Sequence, residues 1–301
     1  MARFVNRLTW SYSRNRLFRD CRKAYYFQYY ASWGGWEKDA NDFSKRAYLL
    51  KNIRTIDIWI GDIVHQVIKW LIEEIKASRD QSLDTALFHA KRTVKRTWEQ
   101  SRSKSWEQNV KHNLNLLEHY YNCEPSKDEL TEKLRKITKS LNFFYNSGFY
   151  DYLKGIKPEE IIAIDSLDKF TFEGVNVFAV PDLAVKREKI LLYDWKTGKS
   201  SQNDAMQLSC YVLYGCSKWG ADVDNFEITP VYLAKDDLEY SSVGVIPIEE
   251  VKTYIRDSLS DMRSLLISVE KNEIDPNKCE KTIDKYKCPR CKFKQICDQS
   301  Q

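Results

Sequence analysis

Two aspartates and a lysine are the residues of this sequence whose types and spacing best suit chemistry. Asp182 follows Pro181, and after eleven intervening residues the chain reads Asp194-Trp195-Lys196. Residues two apart in a strand share a face, so Asp194 and Lys196 project together while Trp195 points away. Asp182, at the start of the preceding strand, can approach Asp194 across the intervening hairpin. Carboxylates hold hard divalent cations through oxygen, and such a cation polarises a phosphate and acidifies a bound water. A lysine alongside can orient that water or stabilise charge growing on the phosphorane. The triplet alone carries little weight, because short charged runs are common on edge strands.

A second group is built from sulfur. Cys288-Pro289-Arg290-Cys291 followed by Cys297 has metal-ligand spacing, since a two-residue gap lets both thiolates face one ion or cluster. Three cysteines are one short of a complete set. Cys279 would complete a local four-cysteine zinc site. Cys123, Cys210 and Cys216 read as ordinary buried thiols.

Further features agree with the carboxylate–lysine site, and in order along the chain they resemble the PD-(D/E)XK nuclease superfamily. The branch they resemble is the RecB-like one, which includes the AddB nuclease domain and CRISPR-associated adaptation exonucleases. Gly61 to His65 looks like the branch's G-x-x-x-H helix, Gln207 and Tyr211 like its Q-x-x-x-Y pair, and Ser11-Tyr12-Ser13-Arg14 with Cys21 like its opening segment. The terminal cysteine triplet resembles its closing segment. The resemblance implies that His65, Asp182 and Asp194 hold Mg2+ or Mn2+. It further implies that Asp182, Asp194, Lys196, Gln207 and Tyr211 form the catalytic site, and that Cys21, Cys288, Cys291 and Cys297 hold a [4Fe–4S] cluster. Zinc held with Cys279 stays open beside it. The family usually has a glutamate on an earlier strand, where this chain offers Asp165 or Glu173. Asp165 is given no direct role. Gly198-Lys199-Ser200 imitates the end of a phosphate-binding loop, but position 193 is Tyr where that loop needs Gly. Any helicase would therefore be a separate partner.

The elements that must position these groups follow from patterning. Residues 12 to 154 read as helical, with Ser11 or Ser13 as the first cap and a break at Gly34-Gly35. Amphipathic stretches run over 42–55, 61–78, 83–108 and 125–147. From residue 159 short alternations rich in β-branched and aromatic residues predict strands, with turns at Glu173-Gly174 and Arg187-Glu188. A helix over 202–217, strands over 225–234 and 239–246, and a helix over 248–271 precede the tail. The expected architecture is α/β: a restriction-endonuclease-like mixed sheet flanked by helices, with a helical N-terminal half and a cysteine-cluster tail. Its divisions are 1–158, 159–271 and 272–301, the last forming one unit with residues 1–30.

The 301 residues are 43% hydrophobic and 30% charged, which provides for a sizeable core and excludes disorder of the whole chain. With 10 glycines and 7 prolines, a turn-rich all-β sandwich is disfavoured. No apolar run suggests a membrane span or a signal peptide, so an intracellular, reducing, cytoplasmic setting is expected, and eight cysteines there point to metal rather than disulfides. The net charge of +5 conceals a pattern: +6 over residues 1–23, +5 over 278–294 and −6 between them. Basic ends around cysteines suit phosphate backbones, and Tyr25, Tyr26, Tyr29, Tyr30, Trp33 and Trp36 could stack on bases. A metal-dependent nuclease acting on single-stranded or end-bearing DNA, an exonuclease before an endonuclease, is the leading expectation. An inactive DNA-binding or assembly subunit of the same fold and a zinc-stabilised interaction module are the alternatives.

Overall fold

The N-terminal half is helical because its apolar residues recur at helical spacing between polar caps. A short strand β1 (Thr9–Ser11) leads into α1 (Tyr12–Asp20), with the Ser11 hydroxyl accepting from Arg14 N at 3.1 Å. Cys21 is extended and interrupts the helix, and its sulfur caps α2 (Arg22–Tyr26), which runs on through a π-turn to Ala31. The positive φ of Gly34 turns the chain, close to the expected break. There follow α3 (Asp42–Lys51), α4 (Ile56–Lys76), α5 (Leu83–Arg102), α6 (Leu117–Tyr120), α7 (Lys127–Asn146) and α8 (Phe149–Lys154). Thr55, Ser82 and Ser126 cap α4, α5 and α7, the last through a full capping box with Glu129.

The second half supplies the sheets. Strands β2 (Ile161–Ile164), β3 (Lys169–Phe172), β4 (Val175–Phe178), β5 (Leu183–Lys186) and β6 (Ile190–Lys196) precede α9 (Asp204–Trp219), β7 (Phe226–Tyr232) and α10 (Ile248–Ser264). A four-stranded sheet has the order β2-β5-β6-β7, antiparallel except for the parallel β6–β7 pair that α9 bridges. A second sheet, β1-β4-β3, joins the N-terminal strand to the middle of the chain. The structure is a computed structural model and describes residues 5–198, 204–233, 242–284 and 286–297.

Alternation along β6 divides the molecule into layers. Tyr193 and Trp195 face the helical half and pack with Ile63, Val67 and Ile68 of α4 and with Phe144 and Phe149. Ile190 and Leu192 face the opposite way, toward Leu208, Val212 and Ile255 of α9 and α10. Gly215 lets α9 lie hard against β7, since a Cβ there would sit 2.5 Å from the Phe226 ring. The chain is thus mixed α/β, with sheets between helical layers, as a restriction-endonuclease-like fold requires.

Several elements differ from their sequence patterns. The helix expected over 248–271 ends at Ser264, and β-branched and aliphatic residues beyond it form a small hairpin, β8 (Leu266–Ser268) with β9 (Glu273–Ile274), turned at Asn272 with φ +49°. Of the strand expected over 239–246, residues 239–241 lie outside the described residues. Its remainder makes an isolated bridge between Val243 and Ile228. Residues Lys199 and Ser200 of the imitation phosphate loop also lie outside them. Cys123 is exposed rather than buried, because it sits in the polar turn between α6 and α7, and Cys216 is only part-buried.

The tail returns to the N-terminus. Lys23 N donates to Glu280 O, Lys287 pairs with Asp20 at 2.6 Å, and the Phe27 and Phe293 rings lie 5.5 Å apart. A final turn of helix, α11 (Lys294–Cys297), buries Ile296 in the same cluster.

Candidate active site

The parallel β6–β7 pair ends beside the start of α9, and the carboxylates gather at that end of the sheet. The β5–β6 register pairs Leu183 with Tyr193, which brings Asp182 next to the second half of β6. Asp182 Oδ2 accepts from Trp195 N at 2.6 Å, and its Oδ1 lies 3.2 Å from His65 Nδ1. His65 reaches the sheet from the middle of α4. Gly61, one turn earlier on that helix, lies close to Thr197, where a Cβ would come within 3.1 Å of the hydroxyl.

Asp194 is 4% exposed and faces α9. Lys196 Nζ lies 2.6 Å from its Oδ2 and donates to Gln207 Oε1 at 2.9 Å. Gln207 Nε2 donates to the Tyr211 hydroxyl at 2.7 Å, and that hydroxyl donates to Asp194 Oδ1 at 3.1 Å. Residues i and i+4 on one helical face thus hold both the acid and the lysine of β6. Asp204 closes the group on the far side, 3.7 Å from Lys196 and bound by the Tyr232 hydroxyl at 2.6 Å.

The electrostatics are those of a site short of positive charge. Burial and the charge of Asp182 together push the Asp194 carboxyl up to about 6, against the opposing pull of Lys196. Lys196 pairs with Asp194 Oδ2 at 2.6 Å and so opposes, without cancelling, the effect of burial and of Asp182. Burial is the largest single influence on the His65 imidazole and would lower it, but the charge and hydrogen bond of Asp182 with the charges of Asp194 and Asp165 together outweigh it and raise His65 to about 9. Burial drives the Tyr211 hydroxyl far above its usual value, so it stays a neutral donor. The carboxylate oxygens of Asp182 and Asp194 and the adjoining His65 imidazole are ligand types that suit a divalent cation. Among the described residues no three His, Cys, Asp or Glu side chains close on a single point, so the remaining ligands would be water and substrate oxygens.

All six residues expected at this site are brought together. Two neighbours also stand here: Asp165, which was given no direct role from sequence, and Lys69, which the sequence reading did not name. Asp165, with φ +35°, donates its backbone N–H to Asp182 O, and burial and the Asp182 charge raise its carboxyl. Lys69 donates to Asp165 O at 2.9 Å. The signal was available, because Lys69 is four residues after His65 and so on the same helical face. Glu173, the other acid considered, is engaged by Arg256 at the β3–β4 turn.

The cysteines meet elsewhere. Cys21, Cys288, Cys291 and Cys297 line one cavity of about 360 Å³ between α1, α2 and the tail. Cys279 is not among its lining residues, and its thiol donates to Asp275 O in the neighbouring core. Among the described residues no three of these sulfurs close on a single point.

The model of the PD-(D/E)XK nuclease superfamily matches residues 9–298, nearly the whole chain. The chain belongs to that superfamily. No curated protein matches the sequence. No helix among the described residues is long and apolar enough to cross a membrane.

Proposed function

We infer that this superfamily member is a metal-dependent nuclease that hydrolyses phosphodiester bonds in DNA, on single strands or at ends and as an exonuclease. The observation that carries the reading is the Asp194 carboxylate: buried, facing a second carboxylate, with Lys196 Nζ 2.6 Å from its Oδ2. Asp182, Asp194 and His65 would hold Mg2+ or Mn2+. Such an ion, when bound, polarises the scissile phosphate and acidifies water. The protein's own groups do the rest. Lys196, fixed by Gln207, is positioned to orient the attacking water and to stabilise charge on the phosphorane. Tyr211 and Gln207 hold Asp194 and Lys196 in one arrangement, which lowers the reorganisation needed during reaction.

Cys21, Cys288, Cys291 and Cys297 would hold a [4Fe–4S] cluster as a staple between the first helices and the tail, which then behave as one unit. Support comes from the shared cavity and the absence of Cys279 from its lining. The cluster is assigned a structural task only, since the carboxylate site is built on other elements.

Mn2+- and Mg2+-supported cleavage of single- and double-stranded DNA tests the activity. Wild-type protein cuts, and Lys196→Ala and Asp194→Ala lose cleavage by more than about a thousandfold with unchanged circular dichroism. Wild-type cleavage by either variant, or DNA binding without any cleavage by the parent, overturns the reading.

A further inference from the structure

Beside the carboxylate site, and sharing Gln207 and Tyr211 as one wall, lies a second cavity of about 530 Å³. Its other walls include Ser11, Arg14, Arg16 and Tyr29, and no Asp or Glu lines it.

Arg14 is the unusual member. It is 4% exposed, yet it makes no ion pair among the described residues. Its guanidinium donates to the Thr9 hydroxyl at 2.7 Å and to the Tyr25 hydroxyl at 3.1 Å, and lies 4.2 Å over the Tyr29 ring. Its Nε is buried without any partner. Burying an ion costs several kcal/mol unless it is compensated, and cation–π contact with tyrosines returns only part of that. Lys51 adds to the imbalance. Its ammonium lies 6.0 Å from the same Tyr29 ring and has no carboxylate partner among the described residues. Burial and the charge of Arg14 both depress its pKa.

The backbone points the same way. Helix α1 is nine residues long, begins at this cavity and has no acidic residue in its first turn to offset its dipole. Arg16, on the same helix, is exposed at the cavity wall. Charge, hydroxyls and a helix N-terminus therefore converge on a space that opens beside the catalytic carboxylates. An anion is what they recognise.

We propose that this cavity receives a phosphate neighbouring the scissile one in the substrate strand. Arg14 and Arg16 provide its counter-charges, and the N-terminus of α1 faces it. The inference rests on the nuclease reading for the identity of the strand as DNA, but not for the binding itself. Arg14 acts as a positioning residue. It holds the strand so that the next phosphate lies against Asp194 and Lys196, and it does not touch the reacting atoms.

The test is fluorescence anisotropy of a fluorescein-labelled oligo(dT) strand on the full chain in EDTA, over a series of salt concentrations. Arg16→Ala and Arg14→Gln each weaken binding about 5- to 30-fold, and each lost contact reduces the salt slope by about 0.7. Arg14→Lys keeps part of the affinity. In steady-state cleavage KM rises for these variants while kcat stays within about twofold. Inorganic phosphate at a concentration equal to the strand does not displace it. Unchanged affinity and slope in Arg16→Ala together with Arg14→Lys overturn the proposal, and Arg16, being exposed, keeps the test valid if Arg14→Gln fails to fold. Displacement by equimolar phosphate overturns the strand as occupant. A chain that cuts DNA but ignores both arginines loses this cavity and keeps its nuclease; one that binds through them and cuts nothing does the reverse.

Discussion

At the scale of residues, the site is organised around a carboxylate that is difficult to keep ionised. Asp194 is buried opposite Asp182, and holding two facing carboxylates out of water costs free energy that a cation would return. Tyr211 is the neutral donor that makes this tolerable, donating a hydrogen bond to Asp194 Oδ1 while accepting one from Gln207. Hydrogen bonds to charged groups contribute about 1.5–3 kcal/mol. Tyr211→Phe is therefore expected to lower kcat roughly 10- to 100-fold at saturating metal, with little change in substrate KM. Single-turnover cleavage over a metal titration measures it. A variant equal to wild type would mean that the hydroxyl serves packing alone.

The elements that carry these residues are tied to one another by few, specific contacts. The loop between β2 and β3 holds Asp165 at one end and Asp168 at the other. Asp168 accepts from Lys218, the Tyr214 hydroxyl and Lys169 N, which fastens that loop to α9, the helix of Gln207 and Tyr211. The ammonium of Lys218 and these donors pull the Asp168 carboxyl down to about 2. A depressed folded-state pKa contributes stability above the unfolded value near 3.9 and loses it as pH falls through 2. Because the pair is partly solvated, the contribution is at most about 1 kcal/mol. Asp168→Asn should lower Tm by a few degrees at pH 7, with the difference from wild type closing between pH 4 and pH 2. Thermal denaturation across that range is the measurement, and a difference independent of pH would refute the electrostatic account.

For the whole molecule, the two basic ends of the chain are neighbours. The tail packs on α1 and α2 through Phe293, Ile296 and the Lys287–Asp20 pair, and the four cysteines face one cavity between them. Part of the positive charge is neutralised locally, as Arg19 pairs with Asp261 and Lys287 with Asp20. Anaerobically purified protein should be brown and contain iron and acid-labile sulfide. Cys291→Ser should remove both and lower Tm by several degrees, since the tail then loses its anchor to the N-terminal helices. Zinc without iron in the wild-type protein would overturn the cluster.

The spacing of Asp182, Asp194 and Lys196, the Gln207–Tyr211 step and the Gly61–His65 step were legible without coordinates, because side-chain direction in strands and helices follows from period alone. So were the long helices and the change to strands near residue 159. The helix end at Ser264 was less legible, since local propensity there favours either state and the hairpin with Glu273–Ile274 decides it. The part of Asp165 depends on a loop conformation at positive φ, and that of Arg14 on what lies across from it. Which charges lack partners is a property of space between segments distant in sequence. The sequence determined which groups could do phosphodiester chemistry and on which faces they stand; only the tertiary structure decided that Asp194 is buried, that Arg14 nearby has no ion-pair partner among the described residues, and that four cysteines share a cavity. Burial and pairing arise from packing between layers, and no local period encodes that.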